Sequence, residues 1–221
     1  MSSTAPRRLT LHLTILALAF GLAAAQTHVT GSVDTVIDGR THTFGTSATR
    51  IADDAGAGVE NAAARAMLER LAGTTQHTAT WLVMEPIVMG GVVMFAAEDM
   101  FISITAYGEE RSQFSLEFGL VLETLELSDP DDVEILVKYF PERWGTSDFY
   151  ALTEGALVID LVERVDATTL RIRGSFSGTL SFQEQYTVAH NPADTRSIAG
   201  TFDILEVGGS SALDMVLGAT D

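Results

Sequence analysis

From Leu170 to Gln183 apolar and polar positions alternate without a break. Leu170, Ile172, Gly174, Phe176, Gly178, Leu180 and Phe182 fall on one side, and arginine, serine, threonine and glutamine fill the other. Successive side chains of a strand point to opposite faces, so this run predicts a strand with one face in a core and one in water. The same period recurs over 112–127, where Phe114, Leu116, Phe118, Leu120 and Leu122 share a face. Shorter runs at 78–89, 91–97, 100–107, 155–165 and 196–207 read the same way, and 28–44 reads as two strands around the turn pair Asp38-Gly39.

The period changes once. Residues 59–73, rich in Ala, Leu, Glu and Arg, place Val59, Ala63, Met67 and Leu71 on one side, with Gly73 where a helix stops. Such a helix is expected to cover one face or an open end of the β-structure. VEILVKYF, 133–140, is read as a strand on its β-branched residues, although the Asp129-Pro130-Asp131-Asp132 run before it would also start a helix. Many short strands and one amphipathic helix predict a single all-β domain. It is either an antiparallel β-sandwich or a closed calycin-like barrel of about ten strands. The polar second face argues against an outer-membrane barrel.

Two glycines, Gly174 and Gly178, stand on the core side of the 170–183 strand, and Gly200 stands on that of 196–207. Either they open a ligand cavity or large neighbours cover them. Pairing Phe182 with Ile198 sets Leu180 opposite Gly200 and Gly178 opposite Phe202, which fills two gaps and leaves Gly174 uncovered. A register with Gly178 opposite Gly200 would open a hole instead. Close packing favours the filled register.

The N-terminus changes the picture of where the chain works. Arg7 and Arg8 precede the apolar run Leu9 to Leu22, and Ala23-Ala24-Ala25 offers a cleavage site before Gln26. Residues 1–25 are therefore read as a signal peptide, 26–208 as the β-domain and 209–221 as a short tail. A retained anchor is the alternative, but the run is short for a membrane span, and no integral span is expected after processing. The chain is read as exported, to the periplasm or the medium. It has no cysteine, which excludes disulfides, cysteine zinc sites and a lipidated cysteine. A formal net charge of −17, more negative still once Arg7 and Arg8 are removed, excludes a nucleic acid partner.

With strands and compartment in hand, the chain resembles a loose group of small exported bacterial β-domains. The likeness rests on Gly155-Ala156-Leu157-Val158-Ile159, on Ile172-Arg173-Gly174-Ser175-Phe176, and on its repeat Ile198-Ala199-Gly200-Thr201-Phe202. Val36 to Phe44 is similar to the N-terminal hairpin of that group. The resemblance implies fold and compartment and brings no assigned chemistry. Many members of the group are lipoproteins, and this chain departs from them in lacking the cysteine.

Motifs for chemistry are sparse. His28, His42, His77 and His190 have no metal-ligand spacing, and His42 reads as a surface residue. Asp129, Asp131, Asp132 and Glu134 gather oxygen ligands of the kind calcium takes, without the spacing of an EF-hand; a solvated acidic turn is the plainer reading. No G-x-S-x-G elbow or phosphate loop occurs; Gly208-Gly209 follows a strand, but no lysine comes after it. The loop PERWGTSDFY gathers Arg143, Trp144, Phe149 and Tyr150, residue types enriched at binding hot spots, or else aromatics that plug one end of the β-structure. The expectation is a monomeric, non-catalytic exported β-domain without cofactor or metal. Its partner would be another protein or a small apolar ligand. A hydrolase with a site assembled from several strands is the alternative.

Overall fold

In the computed structural model of the chain the described residues are 25–83, 87–89, 92–95, 99–130, 133–142, 148–184 and 189–209. They fall into two compact units, one of 25–27 with 49–76, the other of 28–48 with 77–209. The strands are β1 (Ala25–Ile37), β2 (Arg40–Ile51), β3 (Thr75–His77), β4 (Ala79–Val83), β5 (Ile87–Met89), β6 (Val92–Phe95), β7 (Asp99–Tyr107), β8 (Gln113–Val121), β9 (Leu136–Phe140), β10 (Phe149–Arg164), β11 (Thr169–Gln183) and β12 (His190–Gly209). Among the described residues the one α-helix, α1 (Ala62–Leu71), follows β2 and precedes β3 in the chain, and a single 3-10 turn, Glu109–Arg111, joins β7 to β8.

The smaller unit holds α1. Asn61 caps it, its side chain accepting from the Ala64 N–H at 3.0 Å, and Gly73 ends it with φ of 74°. The Gly73 N–H returns to the Ile51 carbonyl at 3.1 Å. None of the helix residues is buried: Ala63 is exposed, and Met67 and Leu71 are only half-buried.

The larger unit is almost wholly β and mostly antiparallel, of the sandwich or barrel-like kind. Neighbours run β11-β10-β9-β8-β7-β4-β12-β1-β2, with β11 also paired to β12 and β7 to β2. Those two extra pairings turn the row back on itself. β5 and β6 form a separate two-stranded sheet. The β1–β2 turn is the one the sequence predicts, with Asp38 and Gly39 at φ 48° and 77°. VEILVKYF yields a strand, β9, at its apolar end.

Inward positions carry the core. Phe114, Leu116, Phe118 and Leu120 of β8 are buried, as are Phe44, Ile172, Phe176, Phe202 and Ile204. Phe114 stacks on Phe176 at 5.1 Å between centroids, Phe176 on Phe202 at 6.5 Å, and Phe118 tilts against Phe202 at 6.4 Å. Each such ring contributes about 1.5–3 kcal/mol by burial.

The β11–β12 register differs from both expected ones. Phe176 pairs with Gly200, Gly174 with Phe202, and Gly178 with Ile198. Every glycine is covered, Gly174 included, by a large residue on the neighbouring strand. A Cβ on Gly174 would lie 2.7 Å from Cζ of Phe202, and one on Gly200 would lie 2.6 Å from Cζ of Phe176. The glycine gaps are filled as expected, but in a register four residues from the expected one, because β12 starts at His190 and not near Arg196. The polar segment 190–197 gave no apolar period to announce a strand.

Candidate functional site

The β11–β12 pairing carries a large irregularity. Ser181 pairs with Thr195, but the next residue, Phe182, pairs with Asn191, so 192–194 stand out of register. Pro192 occupies this bulge, where its missing N–H leaves no ladder bond unmade. The Asn191 side chain accepts from the Ala193 N–H at 3.0 Å and fixes the turn. The effect is to swing Asp194 towards the start of β10.

There it meets Tyr150. The Tyr150 hydroxyl donates to the Asp194 carboxylate at 3.2 and 3.3 Å and accepts from Nη2 of Arg196 at 2.9 Å. The Arg196 guanidinium also lies over the Tyr150 ring, its Cζ 4.1 Å from the centroid. Tyr150 itself is buried, and Arg196 and Asp194 are half-buried. The buried phenol thus fixes a half-buried guanidinium over its own ring. That geometry leaves donors for a planar acceptor such as a carboxylate.

Rings continue the platform. Tyr150 meets Phe182 edge-on at 5.6 Å and Tyr139 at 6.5 Å, and His42 lies 6.2 Å from Phe44 and 6.0 Å from Tyr139. His42 is half-buried among these rings and is not the plain surface residue its sequence context suggests. Burial, ahead of its charged neighbours, pushes the Tyr139 phenol up, so it remains a hydroxyl donor at neutral pH.

Of the expected binding residues, Tyr150 lies at the centre of this cluster. Phe149 is half-buried beside it, packed on Phe140 at 5.2 Å with Nζ of Lys138 5.8 Å from its ring. Arg143 and Trp144 lie outside the described residues. Asp129 and Glu134 are exposed in the β8–β9 connection, where the Asp129 carbonyl accepts from the Val133 N–H at 2.9 Å; Asp131 and Asp132 lie outside the described residues. Among the described residues no group of three or more histidines and carboxylates is placed to hold a metal ion. Arg196 and Asp194 were missed by sequence reasoning, and the Asn191-Pro192 pair was the one available sign that the chain turns there.

A second polar cluster lies where β1, β4 and β12 meet. Nε2 of His28 lies 3.0 Å from the Glu206 carboxylate, and Nδ1 of His77 lies 3.9 Å from it. The His77 ring packs against Gly208, and Trp81 packs against Gly209 while its Nε1 donates to the Thr168 carbonyl at 2.9 Å. Gly208-Gly209 is thus a seat for two rings. Burial, more than the opposing pull of Glu206, holds the His77 imidazole below its usual 6.5.

No protein-family model matches this chain, and neither does any curated protein or solved structure.

Proposed function

We propose that the chain is an exported, non-catalytic β-domain that acts by surface interaction, with the Tyr150–Arg196 end as its recognition surface. The observation that carries this reading is the half-buried guanidinium held over a buried tyrosine beside a three-residue bulge. An arginine set on an aromatic ring binds with little further loss of side-chain entropy. Stacked rings occupy the core, which favours a surface partner over a small apolar ligand inside the fold. The leader-like N-terminus and the resemblance of the repeated I-x-G-[ST]-F strands support an exported role.

The hydrolase alternative calls for a carboxylate whose proton is held to neutral pH by burial. Among the described residues the two carboxylates whose acidity clearly moves, Asp166 and Asp203, are both held low, by the Thr168 N–H and by Arg171 respectively.

Sodium benzoate, a planar carboxylate on a ring, is the simplest probe of this end. Titrated into nitrogen-15-labelled protein, it should shift the Arg196 side-chain signal and the neighbouring amides saturably, and Arg196→Gln should abolish the effect. An unmoved Arg196 signal, or equal shifts in the variant, would contradict the reading.

A further inference from the structure

β10 is paired along its whole length on one side and hardly at all on the other. β11 accompanies it from Phe149 to Arg164, whereas among the described residues β9 meets it only at Tyr150 and Ala151. Among the described residues the row of strands has a gap beyond β9. β8 and β10 are bridged at one end by the five residues of β9, and past Leu136 the chain leaves the sheet as the β8–β9 connection.

A groove of about 480 Å³ follows that gap, lined by 124–127 on one bank and 157–162 on the other. Both banks are unbroken runs of consecutive residues. In a strand consecutive side chains point to opposite faces, so a cavity lined by every residue of a run lies along its backbone edge, not over one face. The groove therefore follows the open edge of β10. Irregularities in the β10–β11 ladder fall between Leu152 and Glu154 and between Ile159 and Leu161. The six residues from Glu154 to Ile159 pair regularly between them, about the length of an ordinary strand.

Groove chemistry limits what can lie there. Leu125, Leu127, Leu157, Ile159 and Leu161 supply apolar walls, and the ionisable residues of the lining are Glu126 and Asp160, both exposed. Both are acids, in a chain of net charge −17. That composition opposes a second copy of this chain and complements a cationic one.

We infer that the open edge of β10 accepts an extended segment of a partner protein as an added strand, one in which apolar residues alternate with lysine or arginine. Main-chain bonds to the Glu154–Ile159 edge would supply affinity, and where that edge enters the groove, at Leu157–Ile159, the apolar walls with Glu126 and Asp160 would supply selection. This docking surface goes beyond the Tyr150–Arg196 reading and does not depend on it.

The test uses the whole chain and a synthetic ten-residue peptide of alternating valine and lysine, followed by fluorescence anisotropy and amide hydrogen exchange. The peptide should bind and protect amides within Glu154–Ile159. A valine–glutamate peptide should not bind. Reversing both groove acids, Glu126→Lys with Asp160→Lys, should weaken binding by about tenfold or more, the scale of two surface ion pairs lost and made repulsive. Arg196→Gln should leave it unchanged, which separates this surface from the tyrosine end. Equal binding of a peptide N-methylated at every residue would overturn strand addition, since such a peptide lacks the donors on both of its edges. So would protection confined to residues outside β10, or concentration-dependent self-association through this edge without peptide.

Discussion

Gly200 and Phe176 show how closely single residues fix this fold. A methyl group on Gly200 would lie 2.6 Å from the Asp34 carbonyl and equally close to Cζ of Phe176. Gly200→Ala is therefore expected to cost about 1–3 kcal/mol, as overpacked cores do, and adding Phe176→Leu should recover part of it. Urea midpoints of the single and double variants measure this; a neutral Gly200→Ala would mean the ring does not lie on the glycine. Tyr150→Phe removes one hydroxyl linking Asp194 to Arg196 and should cost about 1 kcal/mol. His77 gives a pH dependence of definite sign. Its imidazole titrates below 6.5 in the fold because it is buried, so the unfolded chain binds the proton more readily. Its contribution is complete above pH 6.5 and is lost as pH falls below that value towards the folded pKa. Melting temperature should therefore drop on acidification through this range, and the drop should be smaller in His77→Gln. An identical pH profile in the variant would assign the loss to other groups.

At the scale of elements, strands with a strict apolar period were legible, and those without one were not. β8 and β11 announce themselves because every inward position is apolar. The Asp38-Gly39 turn is legible because both residues tolerate positive φ. β12 is different, since its first third, 190–197, is polar and includes Pro192, and only pairing with β11 makes it a strand. That hidden extension displaced the register and concealed Asp194 and Arg196, whose roles come from a bulge that no local pattern encodes. Tyr150 could be singled out by residue type alone; its two partners could not. The packing of β12 on β4 has its own test. Gly209→Val should expel the Trp81 ring from its seat and shift its emission to the red, with Trp144→Phe in the background so that one indole reports. Unchanged emission would place Trp81 elsewhere.

Over the whole molecule, charge and core act in opposite directions. Stacked phenylalanines and aliphatic residues hold the larger unit together, while a net charge of −17 works against compactness. Raising ionic strength from about 0.01 to 0.15 M shortens the Debye length from about 30 to about 8 Å, and the melting temperature should rise over that interval. A fall would show that specific ion pairs such as Arg171–Asp203, at 2.7 Å, outweigh the repulsion. The central claim is that this chain works from its outside, with its interior given over to rings. Native mass spectrometry of the protein, purified from a bacterial host and never exposed to denaturant, tests this most directly. The expected mass is that of the bare polypeptide, unchanged by gentle activation. A bound apolar molecule of a few hundred daltons, retained through purification and released only on unfolding, would contradict it.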